Sequence, residues 1–490
     1  MNSIKEYQAK IKKLEKELEK LREKYSTEKG KNKKLRQGMN RSKQRVRDLA
    51  KSRDAWKGKL RSKQLTIKGL KKRIERSGKA KRHRYGTWLV GLCILLRVRG
   101  GCSYGSIRRI LEILDTCFQL GLDKVPCENT VQNWVSKMGL FFMGATEKTL
   151  KGKQVSLIID ESIRLGQEKL LLILGVPFNK AKQSALRFED ISVLYMKGAK
   201  SWTGEKISRA VAGLRQSHGF DLKNILSDED SKLLKACRLL RTGHVPDIGH
   251  AVASCLRRVF GQTVDFRSFK KLVSSYSSKG VNQPLSYLRP PKQRTKARFM
   301  NLDGVVAWAK KMLERFGSLN GKEKAFFAEL PGQREIISSL GTCLSAAKEI
   351  SMPFKKDGLS KGTLEQARRT IRSMAAPSGY LKAFLKEMEG YLAQYQAFMD
   401  EHGGTAVHAS SEIIESMFGK YKSKANNYAL TGLTTLNLEL PIYGRKQNEI
   451  SSRILEALED ISLAELGKWK KDNSADNQIV KRTNFFKNKK

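Results

Sequence analysis

The sequence predicts a multidomain α+β protein. Three observations carry that expectation: a helical seam through the first 78 residues, apolar strands ending in acids between residues 151 and 262, and a mostly α-helical stretch over 263–403. At 490 residues the chain exceeds what one ordinary core holds, so two to four domains are expected. Its 96 Lys and Arg stand against 48 Asp and Glu, a formal +48 that points to a polyanionic partner. The basic N-terminus lacks the apolar segment of a signal peptide, and no run of about 18 or more apolar residues follows. Nucleic acid in the cytoplasm, at the nucleoid, is therefore the expected setting. Seven cysteines, an odd number without a CxxC pair, read as buried reduced thiols, which excludes a zinc site or a disulfide framework.

Residues 1–78 come first as a basic coiled coil. Apolar residues fall at Ile4, Tyr7, Ile11, Leu14, Leu18, Leu21 and Tyr25, and the same three-four register collects Leu35, Met39, Val46, Leu49, Trp56, Leu60, Ile67, Leu70 and Ile74. Asn32, Ser42, Arg53 and Lys63 also land on it. A homodimer or higher oligomer is the expected use, with a solvated helix folded back on the body as the alternative. Residues 1–84 hold 32 Lys and Arg and 9 Asp and Glu, and Gly467–Lys490 holds 8 and 2, so both ends read as electrostatic arms.

A helical module over 85–150 follows. Ser103 to Ile110 and then Val125 to Lys137 read as two helices, the second preceded by Pro126, in the manner of a helix-turn-helix. Glu128, Asn129, Gln132 and Asn133 then sit near the start of a recognition helix, where polar side chains reach base edges. A small helical bundle joining the coiled coil to the body is the alternative.

The body opens with strands Val155–Asp160, Lys169–Val176 and Ile191–Met196. A helix over Thr203–Gln216, a strand Leu222–Asp228, a helix Ser231–Leu240, a short strand His244–Ile248 and a helix Gly249–Phe260 complete it. Two of these strands end in acids, Asp160 and Asp228. The order is similar to that of the ribonuclease H-like fold, in which the first and fourth strands are neighbours, so the resemblance implies that the two acids meet. Carboxylates forced together repel unless divalent cations lie between them, and two Mg²⁺, with Mn²⁺ as a substitute, are the expected cofactors.

A third acid is sought downstream, where Ala409–Lys422 carries Glu412 and Glu415 one turn apart. On Glu415-Ser416-Met417-Phe418 the chain resembles the DDE transposases of bacterial insertion sequences, over about residues 85–465. The resemblance implies Asp160, Asp228 and Glu415 as catalytic metal ligands, with Glu412 in reserve. It also implies a helical insertion at 263–403 dividing the catalytic core into 151–262 and 404–466, with a basic tail at 467–490. Asp247-Ile248-Gly249-His250 looks like a signature of the same family, in which Asp247 and His250 position the DNA strand. Asp247 also reads as a helix cap, and His250 as a capping or core histidine.

Two further features are read from the residues alone. Arg289, Lys292, Arg294, Lys296 and Arg298 follow one another around Pro290-Pro291 as a DNA-backbone contact or a solvated linker. Trp202 is a candidate for stacking on a frayed DNA end, or a core residue. The implied partner is double-stranded DNA, both terminal inverted repeats and target. The implied activity is phosphodiester hydrolysis at element ends and strand transfer by the freed 3′-hydroxyl. A nuclease on the same fold, or a non-catalytic architectural DNA-binding protein, is the alternative.

Overall fold

The computed structural model describes all residues except 1, 77, 79, 82, 162–167, 179–184, 280–284, 293–297, 376–378, 425–434, 475–477 and 488–490. Two compact units divide it, Met1–Gly78 and Lys79–Lys490. The first is a single helix, α1 (Asn2–Arg76). Its apolar seam from Ile11 to Ile67 stands 50 to 70% exposed.

The second unit starts with α2 (Thr87–Val98), α3 (Tyr104–Phe118) and α4 (Glu128–Leu150). Ser103 caps α3 by accepting from the Ser106 amide at 3.0 Å. Strands β1 (Gln154–Glu161), β2 (Lys169–Pro177) and β3 (Ser192–Ala199) come next, then α5 (Gly204–His218), β4 (Asp221–Ser227), α6 (Ser231–Leu240), β5 (Gly243–Pro246) and α7 (Ile248–Phe260). They form one mixed sheet in the order β3-β2-β1-β4-β5. The β1/β2 and β2/β3 pairs are antiparallel, and β1/β4 and β4/β5 are parallel. The first and fourth strands are thus neighbours.

Both faces of the sheet are covered, which is why β1 and β2 read as continuous apolar runs and not as alternating ones. Leu157, Ile159, Leu171 and Ile173 join one core with residues of α5 and α6. Ile158, Leu170, Leu172 and Leu174 point the other way, into the larger core shared with the remaining helices.

Between α7 and the last part of the body lie α8 (Val264–Lys279), α9 (Leu302–Arg315), α10 (Gly321–Phe326), α11 (Arg334–Asp357), α12 (Lys361–Ser373) and α13 (Gly379–Glu401). The stretch is helical, and α11 continues through Pro353 to Asp357. Buried Ile350 and Phe354 flank that proline, and their packing outweighs the lost hydrogen bond. The chain ends in α14 (Glu412–Lys424), α15 (Leu440–Tyr443), α16 (Gln447–Ser452), α17 (Ile454–Asp460), α18 (Leu463–Asn473) and α19 (Gln478–Lys487).

Helices α2–α4 share one core with α15–α18. Gly139 of α4 lets the Leu438 carbonyl approach so closely that a Cβ would stand 1.8 Å from it. Arg97 of α2 and Glu439 form a buried ion pair, with the hydroxyls of Tyr104 and Tyr443 each donating to Glu439 at 3.1 Å. All seven cysteines are free, but only Cys93, Cys237, Cys255 and Cys343 are buried. Cys117 and Cys127 are exposed and Cys102 is half-buried, because Cys117 is in the last turn of α3, Cys127 precedes α4 and Cys102 lies in the connection between α2 and α3. Among the described residues no helix is long and apolar enough to cross a membrane.

Candidate active site

The parallel register of β1 and β4 pairs Ile158 with Leu226, so two residues further on Asp160 and Asp228 come abreast. Burial first and the Asp228 charge next raise the Asp160 carboxyl to about 8, against the opposing pull of His250. Burial also raises Asp228, against the pull of His250. An acid pair in this setting holds a proton or a cation between its members at neutral pH.

Glu415 arrives from 187 residues beyond Asp228. The strand-like segment before α14 is held at three points. Leu359 and Val407 exchange backbone hydrogen bonds of 2.7 and 3.0 Å, the Ile248 amide donates to the Ala409 carbonyl at 2.8 Å, and the Ser411 amide donates to Asp247 at 2.5 Å. Asp247, 2% exposed, also accepts from the His250 amide at 2.7 Å. One carboxylate therefore caps α7 and fastens the start of α14 beside it.

That fastening puts Glu415 3.5 Å from the His250 ring, Oε1 to Nε2. Burial lowers the affinity of His250 for its proton, but the hydrogen bond to Glu415 and the charges of Asp247, Asp228 and Asp160 outweigh it and raise the imidazole to about 9. The imidazolium is the positive charge at the centre of four acids. As the side chains stand, no three His, Cys, Asp or Glu among the described residues converge as a metal-holding group, since Glu415 is turned onto His250. The oxygen donors of Asp160 and Asp228 nevertheless suit a hard divalent cation, and burial raises the proton affinity of both beyond what His250 offsets.

Other residues marked in the sequence are placed differently. Glu412 faces away and pairs with Lys355, so it does not join the acids. Trp202 is buried, and its indole donates to the Lys169 carbonyl at 3.1 Å, so it packs the sheet and does not offer a stacking face. Asp247 is spent on two backbone amides, which makes it a fastener of the protein and not a contact for DNA. Arg289 is half-buried and donates to the Ser277 carbonyl at 2.6 Å, which draws it out of the basic run. Lys292 is exposed, Arg298 begins a 3₁₀ turn, and Arg294 and Lys296 lie outside the described residues. At the start of α4, Glu128 and Asn129 are exposed, and Gln132 and Asn133 are half-buried.

The acid next to Asp160 takes a part that its position alone leaves open. Glu161 accepts from Lys169 at 2.9 Å and Lys232 at 3.2 Å, fixing two ammonium groups beside the strand ends. Tyr391 of α13 donates to Glu229, and Tyr395 donates to the Pro246 carbonyl at 2.8 Å, so α13 braces the loops carrying Asp228 and Asp247. Neither tyrosine is legible as a site residue, since both read as apolar-face positions of a helix.

No family model matches the chain, and no curated protein matches it. Among solved structures, the chain is similar at 12% identity to a chain in the crystal structure of the Mos1 strand transfer complex, over 55% of this chain and 80% of that one, with a TM-score of 0.14. A superposition at that level defines neither the fold nor the activity of this chain.

Proposed function

We propose that this chain is a transposase on a ribonuclease H-like fold, acting on DNA through Asp160, Asp228 and Glu415. The observation that carries the reading is the meeting of Asp160 and Asp228 at the ends of neighbouring parallel strands, with Glu415 of a distant helix held against His250 within electrostatic reach of Asp160. The strand order β3-β2-β1-β4-β5 and the +48 charge support it.

Asp160 and Asp228 would hold divalent cations such as Mg²⁺, with Glu415 joining them on release from His250. Such ions, when bound, lower the pKa of an attacking water or 3′-hydroxyl and stabilise the leaving oxygen of a phosphodiester. The chain's own part is to hold the carboxylates together, to keep His250 against Glu415 until a cation arrives, and to set Lys169 and Lys232 near the strand ends. DNA recognition falls to the exposed start of α4, to Lys292 and to the basic arms.

Asp160→Asn, Asp228→Asn and Glu415→Gln, assayed one at a time with Mg²⁺ on a labelled element end, are each expected to lose roughly 100-fold or more in cleavage rate. Glu412→Gln is expected to cleave like the wild type. Wild-type cleavage by one of the three removes that residue from the site, and cleavage without strand-transfer product makes the protein a nuclease.

A further inference from the structure

We infer that the exposed seam of α1 is an interface for a second copy of this chain, and that the two helices run antiparallel over their full length. The seam keeps its seven-residue register without a slip from Ile4 to Ile74, ten heptads, with Glu28, like Asn32, Ser42, Arg53 and Lys63, also falling on it. An α-helix drifts about 20° per heptad against such a repeat, so over ten heptads the stripe winds more than half-way around a straight helix. A flat or globular surface covers only part of a stripe of that shape, whereas a helix coiling with it covers all of it. Among the described residues the next longest helix is α11, with 24 residues against the 75 of α1. The partner of matching length and repeat is another α1.

The direction follows from charges in the seam. A parallel, in-register pair sets Glu28 against Glu28, Arg53 against Arg53 and Lys63 against Lys63. An antiparallel pair in which facing positions sum to 81 sets Glu28 against Arg53 twice, Tyr25 against Trp56, Leu21 against Leu60 and Leu14 against Ile67. Lys63 then meets Leu18, along which its alkyl stem can lie. In the single helix Glu28 pairs with Lys31 and Arg53 with Asp54, exposed contacts of little worth that leave both free to re-pair.

The flanks agree. Six of the nine acids of α1 lie between Glu6 and Glu28, while residues 53–75 carry nine Lys and Arg and two acids. Parallel pairing lays one strongly basic stretch along the other, and antiparallel pairing lays each along the acid-bearing stretch.

The inference is independent of the catalytic assignment, and full-length chains test it. Leu14→Cys and Ile67→Cys chains, each in a background with the exposed Cys117 and Cys127 changed to Ser, are mixed and oxidised, and the disulfides are mapped by mass spectrometry. Antiparallel pairing gives the 14–67 mixed disulfide as the main product, because the two copies of position 14 are then about 80 Å apart. A dominant 14–14 disulfide overturns the direction, and a monomeric mass by light scattering overturns the interface itself.

Discussion

Asp247 joins two chain segments with a single carboxylate. One oxygen caps α7 and the other receives the Ser411 amide, so Asp247→Ala leaves a buried amide unsatisfied and removes a helix cap together. Each loss costs about 1–2 kcal/mol, and urea denaturation is expected to register a sum of about 2–4 kcal/mol. Asp247→Asn, which retains a carbonyl acceptor, is expected to lose less. Cleavage should fall in parallel, because α14 and Glu415 lose their anchor. Undiminished stability in the Ala variant refutes the fastening role. The residues differ in how far the sequence reveals them. Asp160 and Asp228 are visible because an apolar strand ending in an acid is a local pattern. Asp247 is visible as a helix cap, but its second partner lies 164 residues further on, and nothing local marks it. Trp202 and Arg289 carry side chains suited to DNA, yet carbonyls of Lys169 and Ser277 claim them, contacts that only the folded chain creates.

At the scale of elements, α4 offers a controlled comparison. Gly139→Ala gains helix propensity worth about 1 kcal/mol, but its methyl group meets the Leu438 backbone carbonyl, which cannot rotate aside. The clash wins, and a net loss of about 1–3 kcal/mol is expected. Gly144→Ala on the same helix meets nothing within 4 Å and is expected to stabilise by up to about 1 kcal/mol. Equal melting shifts for the two variants would falsify the close packing of α4 against Leu438. This contact also explains what the sequence withheld. The sequence marks where α3 and α4 of 85–150 begin, but α3 runs on to Phe118 and α4 to Leu150, past the stretches read from the residues. That they share a core with α15–α18 depends on pairs such as Arg97 and Glu439, 342 residues apart, and helical periodicity carries no address for its partner. The strands were readable for the opposite reason, since burial on both faces writes itself into consecutive residues.

For the whole molecule, the decisive quantity is how the +48 charge is used. Neutralised phosphates release counterions, and the logarithm of affinity falls with the logarithm of salt by about 0.9 per phosphate contacted. Helix α1 carries 28 Lys and Arg, and Arg47, Lys51, Arg61 and Lys68 are exposed positions outside the seam. Changing these four to Gln in the full-length chain leaves the interface residues intact, so oligomeric state should hold while DNA contact changes. If α1 lies along phosphates, the salt slope for a duplex shallows by up to about 3–4, and affinity at low salt drops while affinities for different sequences drop alike. A slope equal to that of the wild type, measured by fluorescence anisotropy across a salt series, assigns phosphate contact to the body and leaves α1 only its seam. The two uses do not compete for residues. The seam occupies every third or fourth position, and the cations between them remain free to face a polyanion whichever way the helices run.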